Sequence, residues 1–173
     1  MANWLNYYWG LCRLKALPQD APCSKTSQYI AVLLYFVTGA AVTMFSQAFS
    51  TSMLVAALQT GLLMFVIQMA LWIKKMPERI PQTITASAGT AAVIAVIAMP
   101  LLIWVNQAGM GNENVFMVFW LALVVWETAI LGHILRHSLE ISLIAGLGVS
   151  LLFMYLSFTI TLRLLKTIAI FAT

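Results

Sequence analysis

The hydrophobic and polar positions of this chain alternate in blocks, with five long apolar runs separated by short polar segments. The runs cover about residues 28–45, 53–73, 83–105, 115–135 and 139–162. Each run is close to the roughly 20 residues that a helix needs to cross the apolar core of a bilayer. Lipid cannot satisfy backbone polar groups, and the runs lack strand-like alternation. Each run is therefore predicted to be a transmembrane helix.

A polar and aromatic segment, residues 1–28, precedes these runs, and residues 29–173 are predicted to form one five-helix transmembrane bundle. In the first segment Trp4, Tyr8 and Trp9 recur at helical spacing. Their rings favour the lipid–water interface, where the polar atoms stay hydrated. Pro18 and Pro22 are expected to end that short helix. The predicted fold class is all-α: a polytopic membrane protein with five spans preceded by an interfacial amphipathic helix.

Composition supports this class. Hydrophobic residues make up 62% of the chain and charged residues 8%, whereas a soluble domain is roughly a quarter charged. So few charges cannot cover a water-facing surface, and the polar segments are too short for a soluble catalytic domain. The net charge is +4 without a long basic run. The expected partner is therefore the lipid bilayer and not nucleic acid.

Lysine and arginine predict the orientation. Neither the loop 46–52 nor the loop 106–114 contains a basic residue. Positive residues mark the cytoplasmic side of bacterial membrane proteins. The N-terminus is therefore predicted in the cytoplasm and, after five spans, the C-terminus on the other side. Basic residues of the predicted cytoplasmic side are Arg13, Lys15, Lys25, Lys74, Lys75, Arg79 and Arg136; Arg163 and Lys166 lie on the other side.

One acid, Glu127, lies inside an apolar run. It precedes Arg136 by nine residues, which places it roughly 13 Å deep at 1.5 Å per residue. An unpaired charge at that depth costs several kcal/mol, so the carboxyl should be neutral or paired. Thr38, Gln68 and Ser150 lie at depths that make them candidate partners. Glu127 is either a proton or ion site, a contact to a partner subunit, or a neutral hydrogen-bond donor that fixes helix packing.

The joint between the last two runs carries His133, Arg136, His137 and Glu140. If a helix continued through them, they would share one face, and His-x-x-x-His-x-x-Glu spacing is compatible with a metal site. Two spans must nevertheless reverse direction here, and Ser138 is a candidate N-cap for the last span. A turn at Ser138 would scatter the four side chains as headgroup anchors. The sequence therefore favours no metal site and no cofactor.

Small residues recur in the runs. Ala88 and Ala92 have the small-xxx-small spacing that lets helices approach closely, and Gly39, Gly146 and Gly148 are expected to mark similar contacts. The same glycines are also compatible with the flexible or broken helices of a transporter. The sequence supplies no paired half-helices, so close packing is the simpler interpretation.

The N-terminal segment contains a compact motif with the residues Arg13, Pro18, Gln19, Asp20 and Pro22. Together with the joint GHILRHSL at 132–139, this motif resembles small, uncharacterised inner-membrane proteins of proteobacteria. The five-span layout is also similar to that of the Yip family, although the Tyr-Gly-Pro-type motif of its eukaryotic members is absent. The resemblance implies only a bacterial inner-membrane protein of unknown activity. With the orientation predicted from lysine and arginine, the N-terminus is then cytoplasmic and the C-terminus periplasmic.

Three functional hypotheses follow. The first is a non-enzymatic accessory or scaffold protein that contacts a membrane-protein partner, or a second copy of itself, through its helices. The second is a small transporter or proton-coupled component that uses Glu127. The third is a metal-dependent membrane enzyme that uses His133, His137 and Glu140. Polar faces around a cavity would favour the transporter, whereas a dry bundle with one groove would favour the scaffold.

Overall fold

The structure is a computed structural model that describes residues 2–21, 24–108 and 113–171. Within these residues the chain forms six α-helices and no strand. Five of them, α2 to α6, are long and apolar enough to cross a membrane. The predicted five-span fold is confirmed, and the chain is a multi-pass membrane protein. The helices are α1 Ala2–Cys12, α2 Lys25–Thr43, α3 Phe49–Ile73, α4 Ile80–Ala108, α5 Glu113–Leu139 and α6 Leu143–Phe171.

Several helices extend beyond the apolar runs that predicted them. Helix α6 continues to Phe171 and includes Arg163 and Lys166. Helix α4 also continues past Pro100, although proline has no amide proton to donate to the helix ladder. Apolar runs report the part of a helix that lipid surrounds, whereas backbone hydrogen bonding extends into the polar flanks. The spans are therefore longer than hydropathy alone indicates.

The apolar core lies toward one end of the bundle. We call this the basic end; it contains the turns at 74–79 and 140–142. Helix α2 packs along α4, α5 packs along α6, and α3 contacts α2, α4 and α6. The buried cluster at this end consists of Ala31, Leu63, Ile67, Leu71, Ile84, Ala88, Leu131, Leu135, Leu139 and Phe153. The opposite end is less tightly packed, as the exposure of α5 shows below.

The short N-terminal helix α1 forms as predicted, and it packs against the bundle more closely than the sequence indicated. Leu11 and Cys12 are 0% and 1% exposed, and the Trp126 indole donates a hydrogen bond to the Cys12 carbonyl at 2.8 Å. The ring of Tyr8 lies directly on Gly89 of α4, where a Cβ atom would approach within 2.1 Å of the ring. Only glycine therefore leaves room for α1 in its observed position.

A turn at Glu140 joins α5 to α6, and the predicted turn at Ser138 is wrong. Helix α5 runs through Leu139, and Glu140 adopts a positive φ of 52°. The amide of the next residue, Ile141, donates to the Arg136 carbonyl at 3.1 Å, which is a common way of ending a helix. The Ser138 hydroxyl instead shares a hydrogen bond with Thr83 at 2.9 Å. Helix α6 is capped by Ser142, whose hydroxyl accepts from the Ala145 amide at 3.2 Å.

Arg79 of the α3–α4 turn holds this α5 terminus in place. Its guanidinium donates to the carbonyls of His137 at 3.4 Å and Ser138 at 3.3 Å, and it pairs with the Glu140 carboxylate at 2.6 Å. A positive charge at a helix C-terminus stabilises the otherwise unpaired carbonyl groups. The two turns of the basic end are thereby fixed to each other.

The seat of α1 on Gly89 gives a testable prediction. Burial raises the pKa of the Cys12 thiol to about 11, so in a Cys23→Ser background Cys12 should react slowly with a maleimide at neutral pH, because only the thiolate reacts. Replacing Gly89 by leucine should displace Tyr8 and accelerate labelling of Cys12 roughly tenfold, since overpacking typically costs about 1–3 kcal/mol. The measurement is the labelling rate of purified protein in detergent.

The matched control for this experiment is Gly61→Leu, because a Cβ atom at Gly61 meets no atom within 4 Å. Its labelling rate should equal that of the parent protein. Equal rates for Gly89→Leu and Gly61→Leu would show that α1 does not depend on the Gly89 seat.

Candidate functional site

Glu127 faces an interior space formed by three adjoining cavities. Their volumes are about 20, 130 and 290 Å³. Glu127 of α5 and Tyr35 of α2 line all three cavities. The carboxyl and the phenol ring therefore stand at the junction of one branched space between the spans.

Every spanning helix contributes a polar side chain to this space. Polar groups are expensive in the membrane interior, and they usually face a cavity or the bundle interior where function requires them. Their convergence from five helices marks this region as the candidate site. The contributing side chains are Tyr35 from α2, Gln59 from α3, Ser87 and Thr90 from α4, Glu127 from α5 and Ser157 from α6.

Two polar groups on the cavity walls are available to an additional partner. The hydrogen bonds found among the described residues include none of the Glu127 carboxyl, which is partly buried. The fully buried Ser87 hydroxyl also lacks a partner. An unsatisfied buried polar group costs about 1–3 kcal/mol. In native proteins such groups usually bind water, an ion or a ligand. The cavity is therefore a site that a polar occupant would stabilise.

A hydrogen-bond network closes the largest of these three cavities on the α3–α6 side. The Gln59 amide donates to the Thr161 hydroxyl at 2.7 Å, and its carbonyl oxygen accepts from the Ser157 hydroxyl. Both ends of the amide group are therefore engaged. The network fixes α3 to α6 and does not include Glu127.

The partners that depth alone suggested for Glu127 lie elsewhere. Thr38 donates to the Leu34 carbonyl of its own helix at 2.7 Å, and Gln68 lies on the exposed face of α3. Ser150 is fully buried and donates to the Thr128 carbonyl at 3.1 Å, which ties α6 to α5 one residue away from Glu127. The structure does not bring any of the three to the Glu127 carboxyl.

Glu127 was identified from the sequence, but the other polar residues that line the cavity were not, although part of the signal was present. Ser150, Ser157 and Thr161 follow one another at spacings of seven and four residues, which places them on one face of α6. Ser87 and Thr90 are likewise one turn apart on α4. Such polar stripes within apolar spans indicate the face that turns away from lipid.

The cavity is closed at the basic end. Between Glu127 and the α5–α6 turn, α5 is in tight contact with α6. A Cβ atom added to Gly146 would lie 2.5 Å from the Gly132 carbonyl oxygen, and one added to Gly132 would lie 2.7 Å from the Leu147 side chain. The prediction of a close-packing role is confirmed for Gly146. Gly39 and Gly148 have no such neighbour within 4 Å, so that interpretation does not hold for them.

The bundle is loosely packed at the end opposite the basic end. Of residues 114–122 of α5, every one except Phe116 is exposed. This part of the helix is therefore more loosely packed than the part that follows it. Trp120, which lines the two larger cavities, lies in this exposed part. Tight packing thus lies between Glu127 and the basic end, and looser packing lies between Glu127 and the opposite end.

The joint residues do not converge into one cluster. The rings of His133 and His137 lie 4.6 Å apart, and His133 Nε2 is 3.2 Å from the Ala16 carbonyl oxygen. Arg136 is exposed, and Glu140 lies past the helix end, where it is paired with Arg79. In the described ranges, no three His, Cys, Asp or Glu side chains are grouped so that they could hold a metal ion.

The N-terminal motif forms the turn between α1 and α2. Pro18 is buried and begins a short 3-10 helix, and the Asp20 carboxylate accepts from the Leu17 amide at 3.3 Å. The Gln19 carbonyl accepts from the Gln82 side chain at 3.4 Å, whereas Arg13 is exposed. Pro22 lies outside the described residues. This turn anchors α1 to α4 and contributes nothing to the Glu127 cavity.

The fold and the site together define a class: a multi-pass helical membrane protein with an ionisable side chain in a branched internal cavity. Comparison with protein-family models, with curated protein sequences and with solved structures returned no significant match.

Proposed function

We propose that this protein is a small membrane transport component in which Glu127 exchanges a proton with a cationic partner. The observation that supports this proposal is the Glu127 carboxyl itself. It makes no hydrogen bond to a described residue, and it lies at the junction of three cavities. Helix α5 is tightly packed between Glu127 and the basic end and exposed toward the opposite end. A purely structural carboxyl would be expected to bond a neighbouring helix.

The physical basis is the cost of charge in an apolar interior. A carboxyl among apolar groups stays neutral unless water or a cation accompanies the ionised form. Protonation of Glu127 and occupancy of the cavity are therefore linked: a cation enters as the proton leaves. Such an exchange at a site open to one side at a time is the minimal requirement of a coupled transporter.

We propose further that the bundle lies in a bacterial inner membrane with its N-terminus in the cytoplasm and its C-terminus in the periplasm. The basic end carries Lys74, Lys75 and Arg79, which supports this orientation. The resemblance of the N-terminal motif to proteobacterial proteins supports the assignment to a bacterial inner membrane. The loosely packed end, where we propose that the cavity opens, would then face the periplasm.

This orientation can be tested with two cysteine variants. In a background of Cys12→Ser and Cys23→Ser, Ser46→Cys in the α2–α3 turn should react with a membrane-impermeant maleimide on intact spheroplasts. Glu78→Cys in the α3–α4 turn should react only after permeabilisation. Both positions are exposed in the structure, so access is limited by the membrane. The reverse labelling pattern would overturn the orientation.

The proposed exchange is tested with proteoliposomes that contain an entrapped pH-sensitive dye. With a monovalent cation present on both sides to exchange against the proton, vesicles with the wild-type protein should equilibrate faster after an imposed pH step than protein-free vesicles. Vesicles with Glu127→Gln should behave like protein-free ones. Glu140→Gln is the matched control, because Glu140 lies outside the cavity. Equal rates for wild type and Glu127→Gln would contradict the proposal.

A second candidate, the accessory or scaffold function, is favoured by a different observation. The exposed part of α5, residues 114–122, has few contacts within the chain, and such a segment offers a surface to a membrane-protein partner or to a second copy. If that function is correct, a cysteine at Met117 should form crosslinks to the partner in the membrane. Glu127→Gln should then leave both crosslinking and function unchanged.

A further inference from the structure

We infer that the Glu127 cavity binds a small organic cation with apolar substituents, such as an alkylated or aromatic ammonium compound. This inference rests on the proposed function and names its substrate class. Three features of the cavity support it: the charge of its wall, its aromatic side chains, and its volume together with the number of oxygen atoms on its wall.

The charge of the cavity selects a monovalent cation. Among the described residues that line the three cavities, Glu127 is the only acidic side chain, and no Lys, Arg or His lines them. The ionised carboxylate repels an anion, and a neutral solute leaves it unpaired. One positive charge restores neutrality inside the apolar bundle, as the proton does.

Aromatic rings form much of the wall of the largest cavity. Aromatic faces attract ammonium groups within roughly 6 Å of the ring centroid, and tryptophan does so most strongly. Trp120 precedes Glu127 by seven residues on the same face of α5, which separates their backbone positions by about 10.5 Å along the axis. One small ligand can contact both. The aromatic residues that line this cavity are Tyr35, Trp120, Phe153 and Phe158.

The size and the oxygen atoms of the cavity distinguish an organic from an inorganic cation. Its volume of about 290 Å³ is at the low end of the roughly 300–1,000 Å³ typical of small-molecule pockets. A hard metal cation needs six or more oxygen ligands, and those that the protein does not supply must be water molecules brought into the apolar bundle. The wall offers one carboxylate and hydroxyls on separate helices, and the Gln59 carbonyl oxygen is occupied by Ser157. An alkylated ammonium group needs no such oxygen shell.

The exchange is balanced in atoms and charge. In the resting site Glu127 carries its proton and is neutral. When the ammonium ion enters, the O–H bond of the carboxyl breaks, and the proton leaves through the open end into water. The carboxylate and the organic cation then form a neutral pair. The cavity has no net charge in either state, so the two occupants can replace each other in an apolar surrounding.

The test measures binding of benzyltrimethylammonium to the full-length protein in lipid nanodiscs by titration calorimetry. Its neutral carbon isostere, neopentylbenzene, is the ligand control. Measurements in two buffers of different ionisation enthalpy count the protons released. We expect saturable binding of the cation with release of up to one proton, and at least roughly 30-fold weaker binding of the isostere, since loss of a buried charge partner costs about 2 kcal/mol or more.

The variants separate the contributions of charge and ring. Glu127→Gln should weaken cation binding at least roughly 30-fold and abolish proton release. Trp120→Leu should weaken it roughly 2- to 30-fold, the range for a cation–π contact. Phe119→Leu is the matched control, because Phe119 is the neighbouring aromatic residue but lines a separate cavity. It should bind like the wild type.

The outcomes distinguish this inference from the function on which it rests. Equal binding of the cation and its isostere, or full cation binding by Glu127→Gln, would show only an apolar pocket and overturn the inference. No cation binding together with Glu127-dependent proton movement in proteoliposomes would also overturn it, while the proposed function would stand. Absence of both binding and proton movement would contradict both.

Discussion

Replacing Glu127 by glutamine is expected to leave the protein folded and to abolish proton exchange. Glutamine has nearly the same shape as a protonated glutamate, but its amide cannot ionise. The Glu127 carboxyl makes no hydrogen bond to a described residue, so little stabilisation is lost. The free energy of unfolding should change by less than roughly 1 kcal/mol, about the value of a single hydrogen bond.

Two measurements on the same variants check this prediction: thermal stability in mild detergent, and pH equilibration in proteoliposomes. Glu127→Asp is the informative control, because it keeps an ionisable group one methylene further from the cavity centre and should retain part of the activity. A stable and fully active Glu127→Gln protein would favour the scaffold function. A Glu127→Gln protein that fails to fold would instead assign the carboxyl a packing role.

The largest effect on stability is expected for Gly146→Ala. The new methyl group would lie 2.5 Å from the Gly132 carbonyl oxygen and 3.2 Å from backbone and side-chain atoms of Arg136. Because two of these neighbours are backbone atoms, a change of rotamer cannot relieve the contact, and α6 must move away from α5. The expected cost is about 3 kcal/mol, the upper part of the range for overpacking.

Gly148→Ala provides a matched control two residues along the same helix, because a Cβ atom there meets nothing within 4 Å. It should be neutral or stabilise the helix by up to about 1 kcal/mol, the difference in helix propensity between glycine and alanine. The thermal midpoints of the two variants should therefore differ by roughly 10 °C for a chain of this size. Equal midpoints would contradict the close contact between α5 and α6.

If Gly146→Ala does separate the helices, it should also open the closed end of the cavity. The Gly132–Gly146 contact lies between Glu127 and the basic end, and it is part of the barrier that shields the carboxyl there. The Gly132–Gly146 contact is therefore expected to affect both the stability of the fold and the coupling of proton movement to cation movement. Proteoliposomes with Gly146→Ala that remain folded at low temperature should show a faster, uncoupled proton leak than the wild type.

The sequence by itself determined the number of spans and the helical fold. Lipid offers no hydrogen bonds, so an apolar run of sufficient length without strand-like alternation must form a helix. The sequence also shows that Glu127 lies within such a run, which identified it as a candidate functional residue. These conclusions depend only on the order of apolar and polar residues along the chain, which the sequence contains in full.

The C-terminal end of α5 could not be predicted from the sequence, because no glycine or proline marks it. The sequence suggested a turn at Ser138, whereas the helix continues through Leu139 and closes at Glu140 with a positive φ. Arg79 stabilises that closure by bonding both the last carbonyls and the Glu140 side chain. A residue 61 positions away therefore fixes the helix end, and no local rule contains that partner.

The surroundings of Glu127 were decided by the tertiary structure. Hydropathy gives the depth of a residue in the membrane, and by depth Thr38, Gln68 and Ser150 were reasonable partners. Which side chains meet also depends on the rotation of each helix about its axis. In a soluble protein the apolar stripe reveals that rotation, but in a membrane the lipid and the core are equally apolar. Packing alone turned Tyr35 toward Glu127 and Gln68 toward the outside.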